Sequence, residues 1–245
     1  VLTTDGAGVV SFQTPSTSAA AWELTGNAGT TNGTNFLGTT DAQSLDFRTN
    51  NIIRTRITQK GQIEILNTGQ SVFIGEGAGA NDDLSDNRSV FIGKDAGADN
   101  TTGFGNTANG YSALHWNTEG SYNTANGTFA LHYNQQGNYN TANGYRALLS
   151  NNNGEYNTAT GYEALYSNFT GYSNTALGYD ADVASGNLTN ATAIGAGAMV
   201  TQSNSVVLGS GANVGIGTSA PGYNLEVDGD INFTGTLYEN GVELT

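Results

Sequence analysis

Four consecutive segments decide the fold: NTANGYSALHWNTEGSY from Asn106, NTANGTFALHYNQQGNY from Asn123, NTANGYRALLSNNNGEY from Asn140 and NTATGYEALYSNFTGYS from Asn157. Each begins 17 residues after the one before. Their glycines Gly110, Gly127, Gly144 and Gly161 keep that spacing back to Gly93 and on to Gly178 and Gly195, with Gly75 and Gly209 slightly out of step. Three residues after each of these glycines stands an alanine, at Ala78, Ala96, Ala113, Ala130, Ala147, Ala164, Ala181, Ala198 and Ala212. A unit of this length is too short for a helix pair and has no helical periodicity. It suits one coil of a β-solenoid, and the pattern predicts nine rungs stacked about 4.8 Å apart.

The period also sorts the side chains. Two residues before each glycine come Phe73, Phe91, Ala108, Ala125, Ala142, Ala159, Ala176, Ala193 and Val207. With the later alanines they describe a narrow interior. The alternate face carries Val72, Ile74, Val90, Ile92, Asn109, Asn126, Asn143, Thr160, Leu177, Ile194 and Leu208, beside a threonine column from Thr107 to Thr192, and holds no charge. A solvated strand face normally acquires charge somewhere in nine repeats, so this face is expected to be a buried subunit interface. Ordering a residue costs about 1.5 kcal/mol, and two or three alanine-sized groups per rung return far less than a rung requires. A closed cyclic assembly would supply the missing burial and hide the side edges.

Composition excludes several classes. With no cysteine and only His115 and His132, there is no disulfide framework, no thiol nucleophile and no thiolate or multi-histidine metal site. Seven basic residues against 21 acidic give a net charge of −14, which argues against nucleic-acid partners and anionic membranes. No apolar run is long enough to span a membrane and no signal-peptide pattern opens the chain. The chain opens on Val1 and is expected to be a piece of a longer protein. Gly, Asn and Thr supply 98 of 245 residues, which disfavours helices. The sequence parses as an N-terminal connecting β segment over 1–20, a small β-hairpin module over 21–70, the roll over 71–213 and a C-terminal β neck over 214–245. Hairpin signals lie around Asn50-Asn51, Asp228-Gly229 and Asn240-Gly241.

The rungs Ser71 to Gly75, Ser89 to Gly93, Ala193 to Ala198 and Asn204 to Gly209 resemble head repeats of trimeric autotransporter adhesins. That resemblance implies an all-β, homotrimeric, left-handed parallel β-roll. The flanks are similar to modules of bacterial and phage tail-fibre proteins: Val1 to Gly6, Trp22 to Gly26 through Asn35 to Asp41, Phe47 to Asn51 with Arg54 and Arg56, and Val214 to Thr218 before Pro221. Such fibres often end in an endosialidase-type chaperone, which this sequence does not display. The 17-residue middle repeat is longer than the usual adhesin repeat, and its extra turn carries aromatics.

Candidate chemistry is sparse. Glu119, Glu155 and Glu163 fall at different repeat positions and do not form the facing pair that glycan cleavage uses. The oxygen-rich loop Asn81 to Asn87 reads as a solvated turn or a calcium loop without a known ligand spacing, and no metal or other cofactor is expected. The Asn109, Asn126 and Asn143 column reads as a hydrogen-bonded ladder that fixes register, or as a polar core on a symmetry axis. Because its neighbour is asparagine, the threonine column does not make the all-threonine array that ice binding requires. His115, Trp116, His132, Tyr133, Tyr166 and Phe169 occupy the long turn and are the candidate receptor surface. Tyr111, Tyr145, Tyr162 and Tyr179 form one tyrosine column, and Tyr122, Tyr139 and Tyr156 another. The expected function is a non-catalytic structural and host-recognition segment of an extracellular trimeric fibre, on a phage virion or an injection particle. Its expected partners are a host-surface glycan or protein receptor and other fibre or baseplate proteins. A cell-surface adhesin head is the alternative, and a glycan depolymerase the minor one.

Overall fold

The computed structural model describes residues 41–231 and 236, together with the backbone of the short strands Leu2–Thr4, Val10–Phe12, Tyr238–Glu239 and Val242–Glu243. The expected strands Ile231 to Phe233 and Thr236 to Tyr238, and the fibre-like stretch from Trp22 to Asn35, fall largely outside these residues. Two compact units divide the chain at Glu64 and Ile65. In the first, Leu2–Thr4 pairs antiparallel with Val10–Phe12, and Leu45–Thr49 with Ile52–Ile57. Asn50 and Asn51 turn that second hairpin with φ of 49° and 58°, the left-handed values that asparagine tolerates best. Ile63–Ile65 is its third strand. Across the hairpin Arg56 donates to Asp46 at 2.6 Å and holds that carboxyl down to about 2.

The second unit contains the β-solenoid. Nine three-residue strands stack in sequence order into one sheet: Val72–Ile74, Val90–Ile92, Thr107–Asn109, Thr124–Asn126, Thr141–Asn143, Thr158–Thr160, Thr175–Leu177, Thr192–Ile194 and Val206–Leu208. Every neighbour pair is parallel and in register, so alanine meets alanine and threonine meets threonine. From first strand to last the chain makes eight coils, bounded by those nine strands. Pairing also extends through the long turn. There Gly110 and Ser112 donate to Ile92 and Lys94 one coil back, whereas Leu114 and Trp116 donate to Ala130 and His132 one coil forward. Beyond the stack, Val214–Ile216 pairs in parallel with Leu225–Val227, a partner the hairpin signals did not suggest, and Tyr238–Glu239 pairs antiparallel with Val242–Glu243.

The interior has an apolar half and an amide half. Ala108, Ala125, Ala142, Ala159, Ala176 and Ala193 are buried as their spacing indicates, and so are the alanines from Ala96 to Ala198. Ala78 is only half-buried and Ala212 is exposed, because each lies at an end of the stack. Beside the alanines runs a column the repeat pattern did not reveal: Leu114, Leu131, Leu148 and Leu165, all fully buried. Each contributes about 1.5–3 kcal/mol, so the coil has a wider core than alanines alone would give.

On the other side, two columns of asparagine are buried. Asn117, Asn134, Asn151 and Asn168 each donate Nδ2 to the Oδ1 of the asparagine one coil earlier, at 2.7–2.8 Å. The second Nδ2 hydrogen goes to the carbonyl of the glycine three residues on, Gly120, Gly137, Gly154 or Gly171. In the parallel column, Oδ1 of Asn106, Asn123, Asn140, Asn157 and Asn174 accepts the backbone N–H one coil later, at 2.9–3.0 Å. A Cβ on Gly120 would sit 2.6 Å from Asn134 Nδ2, so the glycine is what lets the amides close.

Removing one rung of the first ladder should therefore cost more than deleting an asparagine outside it. Asn134→Ala strips Asn117 Oδ1 of its donor and leaves a buried acceptor unpaired, a loss of about 3 kcal/mol once the small cavity is added. Asn153→Ala, which removes a single exposed bond to Gln136, should stay within about 0.5 kcal/mol. Urea melts followed by far-ultraviolet circular dichroism compare the two. Equal midpoints would show the amide ladder to be dispensable.

Candidate functional site

Two surfaces of the solenoid stand out, one uncharged and one aromatic. The first is the outer face of the nine-stranded sheet. Ile74 and Leu177 are about half exposed (51% and 50%), and Ile92, Ile194 and Leu208 are exposed in the same column. Val72 and Val90 beside them are half-buried. In the middle of the face the column becomes Asn109, Asn126, Asn143 and Thr160, and Asn126 Nδ2 donates to Asn143 Oδ1 at 3.0 Å. This surface ladder is a partial copy of the buried ones.

The second surface is aromatic and lies on the turns. Tyr122, Tyr139 and Tyr156 stack cofacially, with centroids 5.0 Å apart and planes within 12°. Tyr145, Tyr162 and Tyr179 do the same at 5.1–5.2 Å. Thr128 breaks this second column, and Phe129, one position later, fills the gap by meeting Tyr111 and Tyr145 edge-on. From Phe129 the cluster continues to His132, then to His115 and Trp116 on one side and to Tyr133 on the other. Of the six candidate residues, the fold thus brings His115, Trp116, His132 and Tyr133 together. Tyr166 is half-buried and Phe169 exposed, and neither has a ring neighbour in this cluster.

Tyrosines of the first stack reach it through an unusual backbone. Tyr122, Tyr139 and Tyr156 adopt φ near 58°, a left-handed conformation that costs a residue with a Cβ about 1–2 kcal/mol. Their N–H groups donate to Phe104, Ser121 and Asn138 one coil back, so the corner is held by the same inter-coil bonding as the strands.

Among the described residues, charged groups on the solenoid turns form an ion pair or accept from amides. Arg146, the last cation in the sequence, bonds Glu163 at 3.2 Å and lies 5.0 Å over the Tyr145 ring. Glu119 accepts from Gln136, and Glu155 from Asn138. In the loop Asn81 to Asn87 the carboxylates serve as internal acceptors. Asp82 accepts from Leu84 N–H, Asn87 and Asn100, and Asp83 from Ser85 and Asn87, which lowers the Asp83 pKa. Among the described residues no group of three or more His, Asp and Glu side chains could hold a metal ion. The loop's role is visible only in the structure: Asp82 starts the first amide ladder.

No protein-family model matches the chain, and comparison with curated proteins and with solved structures gives no match either. Its functional reading therefore rests on these surfaces.

The aromatic cluster contains a half-buried histidine, His132, packed beside His115. The ring centroids of His115 and His132 are 5.3 Å apart, His132 Nδ1 lies 2.9 Å from the Ser112 carbonyl oxygen, and His115 Nε2 is 3.8 Å from Asp99. Burial, reinforced by the neighbouring His115, pulls the His132 pKa below its ordinary 6.5, while the Ser112 carbonyl offsets part of the shift. A histidine harder to protonate in the folded chain leaves stability intact above the unfolded value and removes it as pH falls below about 6.5. Thermal melts monitored by tryptophan fluorescence should accordingly drop in midpoint from pH 7 to pH 5. In His132→Gln that drop should shrink, and an identical drop in the variant would assign the acid sensitivity elsewhere.

Proposed function

We propose that this chain is a non-catalytic segment of a homotrimeric extracellular fibre, of the kind carried by phage tails or contractile injection systems. In this reading the solenoid is a rigid spacer and its aromatic turns face the host. The observation that carries it is an uncharged column along the sheet, with Ile74 and Ile92 exposed at one end, Leu177, Ile194 and Leu208 exposed at the other, and asparagine and threonine between them. Exposed apolar surface of that extent marks an interaction site. A second copy offers the same column at the same repeat, so a cyclic arrangement pairs like with like at every coil. The resemblance to adhesin heads favours three copies, and the fibre-like flanks favour a tail fibre over a cell-surface head. The regular backbone ladder supports the spacer role, because each coil is tied to both neighbours by bonds from strand and turn alike.

Light scattering on the purified chain should give about three times 25.3 kDa. Ile92→Asp should yield a smaller species that retains the β-type circular dichroism spectrum, because a carboxylate buried without a partner in every copy costs several kcal/mol per site. A folded wild-type monomer at micromolar concentration would remove the trimer.

A further inference from the structure

We infer that the outer surface from Asp99 through Trp116 and Tyr133 to Ser150 binds an uncharged oligosaccharide, laid along the coil stack with Trp116 and Tyr133 as successive platforms. This rests on reading the aromatic turns as the recognition surface and narrows its ligand.

Ring geometry separates these two aromatics from the tyrosine columns. In the tyrosine columns each ring lies flat against the next, so the faces are spent on one another. Trp116 and Tyr133 occupy one repeat position in consecutive coils, yet their ring contacts are with the histidines beside them. His115 meets Trp116 at 57°, and His132 meets Tyr133 at 77°. Among the described residues no ring lies flat on either, and they are 46% and 49% exposed. Trp116 N–H donates to His132 and Tyr133 N–H to Leu149, so the backbone fixes the platforms one coil apart. That separation, about 4.8 Å, is of the order of one pyranose ring. His132 is anchored to the Ser112 carbonyl and packed against Phe129, which pre-organises the support of Tyr133 and, through His115, that of Trp116.

The same repeat position bounds the site and sets its charge. It holds Asp99 before Trp116, and Ser150 then Ser167 after Tyr133, so the aromatic floor is two rings long with hydrogen-bonding groups at each end. Gln135 is exposed two residues beyond Tyr133. After Lys94 the only cation is Arg146, already committed to Glu163 and Tyr145. An anionic sugar would meet the Asp99 carboxylate with no lysine or arginine within the site to balance it. A neutral sugar stacks its C–H face on the rings and bonds its hydroxyls to Asp99, Ser150 and Gln135.

The test is a printed glycan array of neutral and anionic oligosaccharides, probed with the full chain, followed by fluorescence titration of the strongest neutral glycan. Neutral glycans should bind in preference to sialylated or phosphorylated ones. Trp116→Ala and Tyr133→Ala should each weaken binding at least tenfold. Trp116→Phe and Tyr133→Phe should stay within about threefold, because each keeps a stacking face. Tyr223→Ala, which removes an exposed tyrosine beyond the solenoid's aromatic turns, should leave affinity unchanged. Preference for anionic glycans, no binding to any neutral glycan, or affinity insensitive to both alanine variants would overturn the inference. So would capture of a host protein that both alanine variants abolish, although that result would keep the aromatic turns as the recognition surface. Light scattering reports the trimer separately, so loss of sugar binding and loss of the fibre reading are distinct outcomes.

Discussion

A buried primary amide is the constraint on which the solenoid depends. Left unpaired in a dry interior, such a group costs several kcal/mol. Here the cost is cancelled because an identical amide lies one coil away, donating with one nitrogen hydrogen and accepting with its oxygen. The solution works only if the chain returns to the same place after each coil. A period of 17 in the sequence and a ladder bond between residues 17 apart are therefore one fact seen twice. The first ladder also has a direction, since every Nδ2 points to the earlier coil. At its start stands Asp82, an acceptor with no hydrogen to place, and at its far end Asn168 Oδ1 accepts from Asn174 of the second column. Acceptor-only chemistry suits the first position as amide chemistry suits those that follow.

From this core the surface follows. Amides, alanines and single leucines leave no room for rings, so apart from Phe73 and Phe91, stacked within the first two rungs, the aromatics of the repeat stand on the turns. Repetition then places like rings in columns, and the stacks recover part of what the left-handed corners cost. Trp116 and Tyr133 interrupt this logic. They share a repeat position but differ in size, and the histidines beside them hold both rings from the side. The irregularity of two consecutive turns is what keeps both rings out of the cofacial stacks and about half exposed.

Much of the architecture was legible because glycine and alanine admit few roles at fixed spacing. Gly110 has φ of 139°, and a Cβ there would lie 2.7 Å from the Gly127 carbonyl, so neither its conformation nor its neighbour tolerates a side chain. The buried asparagine columns were not legible for the opposite reason. Asn106 and Asn117 belong to a residue type that sits in solvated turns as readily as in a ladder, and only three-dimensional register shows which. The leucine column was hidden by alternation. Ala113 and Leu114 are adjacent yet both buried, which a regular strand forbids; a φ of 54° at Leu114 turns its side chain inward. Ala212 erred in the other direction, keeping its distance from Gly209 after the solenoid had ended. At the aromatic turn, the grouping of His115, Trp116, His132 and Tyr133 could be read from spacing. Phe129 was missed as the residue joining them to the tyrosine column, since it stands one position out of step.

The far end of the stack shows how closely the aromatic turns are tied to the core. At the position of Leu114 to Leu165 the next coil carries Asp182, whose carboxylate takes the Ser167 N–H at 3.1 and 3.2 Å and whose pKa burial raises. With a carboxyl group in place of leucine the long turn cannot pack as before. The chain instead forms the short parallel pair Asp182–Val183 and Met199–Val200 and fills the core with Val183 and Val200. The tyrosine stack ends in this same coil, at Tyr179, and the following interval between glycines, Gly195 to Gly209, is three residues shorter. Long aromatic turns thus exist only where the leucine and amide columns run together beneath them. A rigid outer surface on so thin a solenoid needs that two-sided core, and the segment from Asn106 to Asn174 is where the sequence supplies it.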